Sequence, residues 1–419
     1  MIIVESIKEQ KDFYEKWDNH SSIVIPIWCD LEKHPMNNEV SFLYILVDGS
    51  DYIINFNHID AIKQNIDLSK SQQPKWVWNK KGLLQTNLNI QNIFDISNYT
   101  FFEKNKIIPN EVQSQPFISH YTRLGIRENL GKIAPLMKWS EYLKSFVEGL
   151  HLPKPTKSWV DDKTIPILSV IEQRGIQVDR EKFLDRFPNS LKHLKENRIY
   201  TEYNPYIITS RPSNHHGGIN FGALNKSDGT REVFIPKKDH IFLQFDYDAY
   251  HPRIIGKLIG YDLPKTSVHQ WLSEQYGCGY DEGKGITFQI LYGGVPDEFT
   301  EIPYFKGVKE FIDELWIKVR QNGYLSTQNR TIPLSSIEEP NAQKVFNYLL
   351  QSTETELNIE VLHKLKEEGV GVPILYQYDS FLFEYGVEES TERAKKIKKI
   401  LEYYDFPVKA SWGSDYSKV

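Results

Sequence analysis

Asp246 and Asp379 are the acids whose surroundings point to chemistry rather than to a solvated surface. Asp246 ends the apolar run Ile241-Phe242-Leu243-Gln244-Phe245, which predicts a buried strand. A carboxylate at the tip of a hydrophobic strand is held by the core yet faces solvent, and a hard divalent cation needs that placement. Asp379 lies in the segment 373–384, where two short apolar runs flank a polar centre and predict a hairpin with the acid at its bend. A lone aspartate of either kind is ordinarily a solvated strand end. Two of them, joined by a third element, change the reading. That element is the predicted helix from Lys284 to Tyr292, closed by Gly293-Gly294, with Lys284, Phe288 and Tyr292 at i, i+4 and i+8. They share one face, so a cation and two rings lie together. A lysine there can simply snorkel along the rings. It can equally hold a phosphate while a ring stacks on a base.

The order strand-Asp, Lys-x-x-x-Phe-x-x-x-Tyr-Gly helix, hairpin-Asp resembles motifs A, B and C of family A DNA polymerases, the DNA polymerase I type. Tyr247 and Arg253 stand where that family's motif A has its Tyr and Arg. Asn347-Tyr348-Leu349-Leu350-Gln351 resembles the family's Asn-x-x-x-Gln helix, and Thr209-Ser210-Arg211-Pro212-Ser213 is similar to the segment that leads into motif A. The resemblance runs from about Ile165 to the C-terminus. It implies an α+β right-hand polymerase with an antiparallel palm sheet, helical fingers and a thumb. It further implies two Mg²⁺ ions, or Mn²⁺ in their place, on Asp246, Asp379 and the Tyr247 carbonyl. Lys284 would hold the triphosphate and protonate the leaving group, with Phe288, Tyr292, His251 and Arg253 completing the nucleotide site. Arg211, Asn347 and Gln351 would contact DNA. The implied partners are primer-template DNA and dNTPs, with a processivity factor, helicase-primase or single-strand-binding protein as accessories.

Three departures from the family pattern matter. Ser380 replaces the Glu of motif C, which is not the essential ligand, and Tyr280 stands in the place of an Arg one turn before Lys284. His251, followed by Pro252, occupies the position of a Glu that packs under the sugar to exclude a 2′-hydroxyl. An imidazole fills similar space and can hydrogen-bond the Tyr292 hydroxyl, so His251 is expected to be the sugar gate. Its replacement by Ala should raise relative ribonucleotide use at least about tenfold, since a yielding pocket rejects an added hydroxyl weakly.

In the N-terminal part of the chain, Ser22–Cys29, Val40–Val47 and Tyr52–Phe56 predict consecutive strands. Placed ahead of a polymerase-like region, residues 1–151 resemble an α/β RNase H-like 3′–5′ exonuclease domain. Asp30 and Glu32 fit its first acidic element, but Leu83 takes a later Asp position and no convincing Tyr-x-x-x-Asp precedes Leu152. Two-metal chemistry lacking half its carboxylates should fail, so the domain reads as degenerate. Leu152-Pro153-Lys154-Pro155-Thr156 is the expected linker, and 157–419 the polymerase domain. Within it a reduced thumb is expected at about 165–205, the palm at about 206–260 and 370–419, and the fingers at about 261–369. The trimmed domains suggest a bacteriophage or similar element.

With 419 residues the chain suggests two or three domains. Its two cysteines, Cys29 and Cys278, offer neither a disulfide framework nor a zinc cluster. Lacking a signal peptide or long apolar span, it reads as cytoplasmic with no membrane partner. The net charge of −6 gives nucleic-acid binding no support. Beside a template-directed DNA polymerase, two alternatives stay open: a related polymerase with relaxed sugar choice, and a catalytically silent DNA-binding protein.

Overall fold

The computed structural model describes residues 1–30, 32–54, 66–104, 133–214 and 219–419; Leu31 and residues 55–56 of two expected elements lie outside these. Two compact units result, Met1–Gln173 with Asn189–Glu196, and Arg174–Pro188 with Asn197–Val419.

In the first unit a mixed six-stranded sheet is built from β1 (Ile2–Ile3), β2 (Ser22–Trp28), β3 (Val40–Val47), β4 (Ser50–Ile54), β5 (Lys75–Val77) and β6 (Ile93–Asp95), in the order β1-β4-β3-β2-β5-β6. Successive strand side chains point to opposite faces, and here both faces are covered. Ile25, Ile27, Phe42, Tyr44 and Leu46 pack with Trp139, Leu143 and Val147 of the helix Ile133–Glu148. Val24, Leu43, Ile45 and Val47 pack with Phe13 and Trp17 of the helix Ile7–Trp17. Strands buried on both sides read as nearly continuous apolar runs, which is why these three were visible in the sequence. Leu83 joins the second cluster, 1% exposed.

The expected boundary at residues 152–156 moves. The first unit continues through Gln173 because two lysines of the short helix Lys80–Leu83 are buried and find their acids beyond the linker. Lys80 Nζ lies 3.2 Å from Asp161 and Lys81 Nζ 2.5 Å from Glu172. A buried amine demands such a partner, and Trp76 Nε1 also donates to the Pro153 carbonyl at 3.0 Å. In the thumb region, the helix Ile165–Glu172 belongs to this unit, and the second unit contributes the seven-residue helix Arg180–Arg186.

The second unit holds a four-stranded antiparallel sheet in the order β9-β10-β8-β11; after β7 (Phe234–Ile235) come β8 (His240–Tyr247), β9 (Leu375–Gln377), β10 (Ser380–Gly386) and β11 (Val408–Gly413). Between β8 and β9 in the chain come α1 (Tyr250–Ile259), α2 (Val268–Tyr276), α3 (Tyr280–Gly293), α4 (Pro303–Asn322) and α5 (Ala342–Glu367). Helix α3 lies against α2 at a glycine: a Cβ on Gly283 would sit 2.1 Å from Ser273 Oγ and 2.8 Å from its Cα. Any larger residue would push α3, and Lys284 with it, outward. Helix α5 runs 26 residues and packs on α1 and α4. Its middle is buried and carries Glu354, Glu356 and Asn358, each at most 1% exposed. Buried polar groups of this kind must be paired.

Candidate active site

Strand β8 brings the first carboxylate into register. Asp246 stands opposite Ser380 of β10 on one side and Lys409 of β11 on the other. One residue on, the Tyr247 N–H donates to the Asp379 carbonyl at 3.0 Å, tying the two acid-bearing segments together through the backbone. Both acids line one cavity of about 280 Å³, together with Lys284, Phe288, Tyr292 and His251. The Phe288 and Tyr292 rings lie parallel, 5.9 Å apart and 15° inclined, and Lys284 Nζ stands 6.0 Å from the Phe288 ring. The i, i+4, i+8 face is therefore turned into the cavity.

Asp379 disturbs Asp246. Burial, and then the charge of Asp379, push Asp246 up to about 7, against the pull of Lys226, Lys284 and Lys409. Burial and the charge of Glu354 raise Asp379 as well. Like-charged carboxylates in one cavity favour a shared proton or a cation. An oxygen-seeking divalent ion suits the donor set, although among the described residues no group of three or more His, Cys, Asp or Glu forms a metal cluster. Tyr247 can offer only its backbone, because its ring stacks on Tyr250 at 4.0 Å and its hydroxyl donates to the Leu401 carbonyl at 2.6 Å.

The turn before Asp379 is strained and braced. Tyr378 adopts φ +57°, a region costly for a side chain with a Cβ. Asn358 Nδ2 donates to the Tyr378 carbonyl at 2.6 Å, its Oδ1 accepts from the Tyr250 hydroxyl at 2.9 Å, and the Arg211 guanidinium lies 3.7 Å over the Tyr378 ring. Asn358→Leu should leave the Tyr378 carbonyl and the Tyr250 hydroxyl without this buried partner and lower stability by about 1–3 kcal/mol. Denaturant unfolding of the purified variant checks this; an unchanged midpoint would show that the turn holds itself.

The other predicted site residues are tied to the protein's own groups. Arg253 does not reach the cavity. It is 8% exposed, and its guanidinium donates to the carbonyls of Asp248, Pro264 and Thr266 and to the Asp248 carboxylate. It braces the loop ahead of α2. Arg211 lines the cavity, but its Nε pairs with Glu354 Oε2 at 2.8 Å. Asn347 donates to the Tyr292 carbonyl at 3.2 Å and accepts from Gln343, so it holds the end of α3. Gln351 is half-buried on the same helix, and its carbonyl accepts from Thr355.

Glu354 was missed by the sequence reading. It is 1% exposed, and its Oε2 accepts from His251 Nε2 at 2.9 Å, while His251 Nδ1 and the Tyr292 hydroxyl share a hydrogen bond. Burial opposes its ionisation, but His251 and Arg211 prevail and hold it below the usual carboxylate range. The signal was present: 347, 351, 354 and 358 fall on one face of a helix. Lys409 and Asp248, an ion pair at the cavity edge, were also unforeseen.

No family model and no curated protein matches the sequence. Among solved structures, the polymerase domain of Pol1 from M. smegmatis in complex with DNA primer-template and dNTP is similar, with a TM-score of 0.66 and 14% identity over 100% of both chains. The fold is similar to that of a polymerase domain. Among the described residues no helix is long and apolar enough to cross a membrane.

Proposed function

We propose that this chain is a template-directed DNA polymerase that adds deoxynucleotides to a primer 3′ end. The observation that carries the reading is the meeting, in one cavity, of Asp246, Asp379 and the Lys284-Phe288-Tyr292 face of α3. Asp246, Asp379 and the Tyr247 carbonyl would hold two Mg²⁺ ions, which when bound activate the primer hydroxyl and neutralise the triphosphate. Lys284 grips the triphosphate and gives a proton to departing pyrophosphate. Phe288 and Tyr292 flank the base and sugar. Arg211, Asn347 and Gln351 would contact the primer-template, Asn347 also holding the end of α3. Primer-template DNA and dNTPs are the partners, with accessory replication proteins and a bacteriophage setting as extensions of the same reading.

The first unit is, in this reading, a degenerate exonuclease-like platform. Support comes from Leu83, sealed in the core where an acid would be needed, and from Asp30, half-exposed and capping the Glu32 N–H at 2.9 Å. Incubation with primer-template, Mg²⁺ and either deoxy- or ribonucleotides tests the whole proposal. Extension with deoxynucleotides is expected, and without nucleotides a mismatched 3′ end should persist. Excision that vanishes in an Asp30→Ala, Glu32→Ala variant would overturn the second point; absence of any extension would overturn the first.

A further inference from the structure

His251 held by Tyr292 alone would make a soft wall. An imidazole turns about two bonds, and one hydrogen bond leaves it free to swing; a pocket that yields rejects an added hydroxyl only about a hundredfold. A second anchor comes from a different element. Glu354, projecting from α5, takes the opposite ring nitrogen at 2.9 Å, so that the ring is gripped from both sides. Arg211 pairs with the same carboxylate at 2.8 Å and keeps it from following the imidazole. Beyond Tyr292, the parallel ring of Phe288 at 5.9 Å completes a continuous row from Arg211 to the nucleotide face of α3. Every member lines the cavity.

We propose that Glu354 is the positioning residue for sugar selection, fixing His251 against Tyr292 as a rigid wall that excludes a 2′-hydroxyl. The carboxylate that motif A lacks at position 251 is thus supplied from helix α5, three residues beyond Gln351. Its substrates, though not its geometry, rest on the polymerase reading.

The test compares wild type, Glu354→Ala, Glu354→Gln, His251→Ala and the Glu354→Ala, His251→Ala pair. Two quantities are read for a matched deoxy- and ribonucleotide: kcat/KM on one primer-template, and Kd by calorimetry. Glu354→Ala should shift the ratio towards ribonucleotide at least tenfold, and Glu354→Gln, which keeps the shape, should shift it less in the same direction. The pair should shift it no further than His251→Ala, because both act through one wall. A merely structural role would lower both sugars equally and leave the ratio alone. Should Glu354→Ala fail to fold with Arg211 left unpaired, Glu354→Gln decides. An unchanged ratio in the folded variants, or full additivity in the pair, overturns the proposal. Wild type that uses and binds both sugars equally overturns it too, leaving the polymerase reading intact. Wild type that binds deoxynucleotide selectively, loses that selectivity with Glu354→Gln, and extends nothing supports the wall and overturns the polymerase reading.

Discussion

Replacing Asp246 or Asp379 with asparagine will stop primer extension while leaving DNA affinity close to that of the wild type. An amide keeps the size and the hydrogen-bonding shape but cannot hold a divalent ion, so the loss falls on the transition state rather than on positioning. A drop of at least about 10³-fold in kcat is expected, the scale on which single transition-state contacts act. Activity above about a tenth of wild type, a loss under ~1.4 kcal/mol, would remove both residues from the chemistry.

The same substitution has an opposite effect on stability, which gives a second readout. Asp246 is raised to about 7 in the folded protein, against 3.8 for the free group. Between those values the native state binds more protons than the unfolded one, so this stabilising contribution is complete below about pH 4 and is lost as pH rises through 7. Metal-free Asp246→Asn should therefore melt higher than metal-free wild type at pH 8. The ceiling is about 4 kcal/mol for a three-unit shift. Partial exposure of the group reduces that to about 1–3 kcal/mol. On the proposed function, added Mg²⁺ should raise the melting temperature of the wild type and not of the variant, because only the native pair would bind the ion. Scanning calorimetry with and without Mg²⁺ decides; an equal response in both proteins would place the ion elsewhere.

Phe288→Tyr should increase incorporation of dideoxynucleotides relative to deoxynucleotides by about tenfold to a hundredfold, the worth of one well-placed hydrogen bond in a closed site. Phe288 faces the cavity, parallel to Tyr292 and beside Lys284, where a triphosphate's sugar would lie. Its ring has no hydroxyl to replace the 3′-hydroxyl that a dideoxynucleotide lacks; tyrosine supplies one without new bulk near the core. Competition assays on one template, read as the ratio of termination to extension, check the prediction. A ratio unchanged from wild type would mean that this face of α3 does not meet the sugar.

Much of this site was legible in the sequence. Strand β8, the hairpin around Asp379 and the stretch 284–292 of α3 follow from apolar runs and 3.6-residue spacing, which are local properties of the chain; the first turn of α3, from Tyr280, was not read. Asp246, Asp379, Lys284, Phe288 and Tyr292 could be named together because each is placed by its own short segment. The contact between His251 and Tyr292 was also foreseeable, since it needs only two facing side chains.

What the chain alone did not disclose depends on which groups desolvate one another. Arg253 reads as a nucleotide contact until the loop at 264–266 is seen to absorb its donors. Nothing in the sequence pairs Lys80 and Lys81 with Asp161 and Glu172, which lie against them in the interior and carry the first unit past the linker. Glu354 is one acid among several on α5, and only packing buries it between His251 and Arg211. Periodicity records which face a residue occupies, not how far that face is removed from water. A charged side chain changes from decoration to a fixed support when burial leaves it one partner to choose, and that choice is made by the tertiary structure.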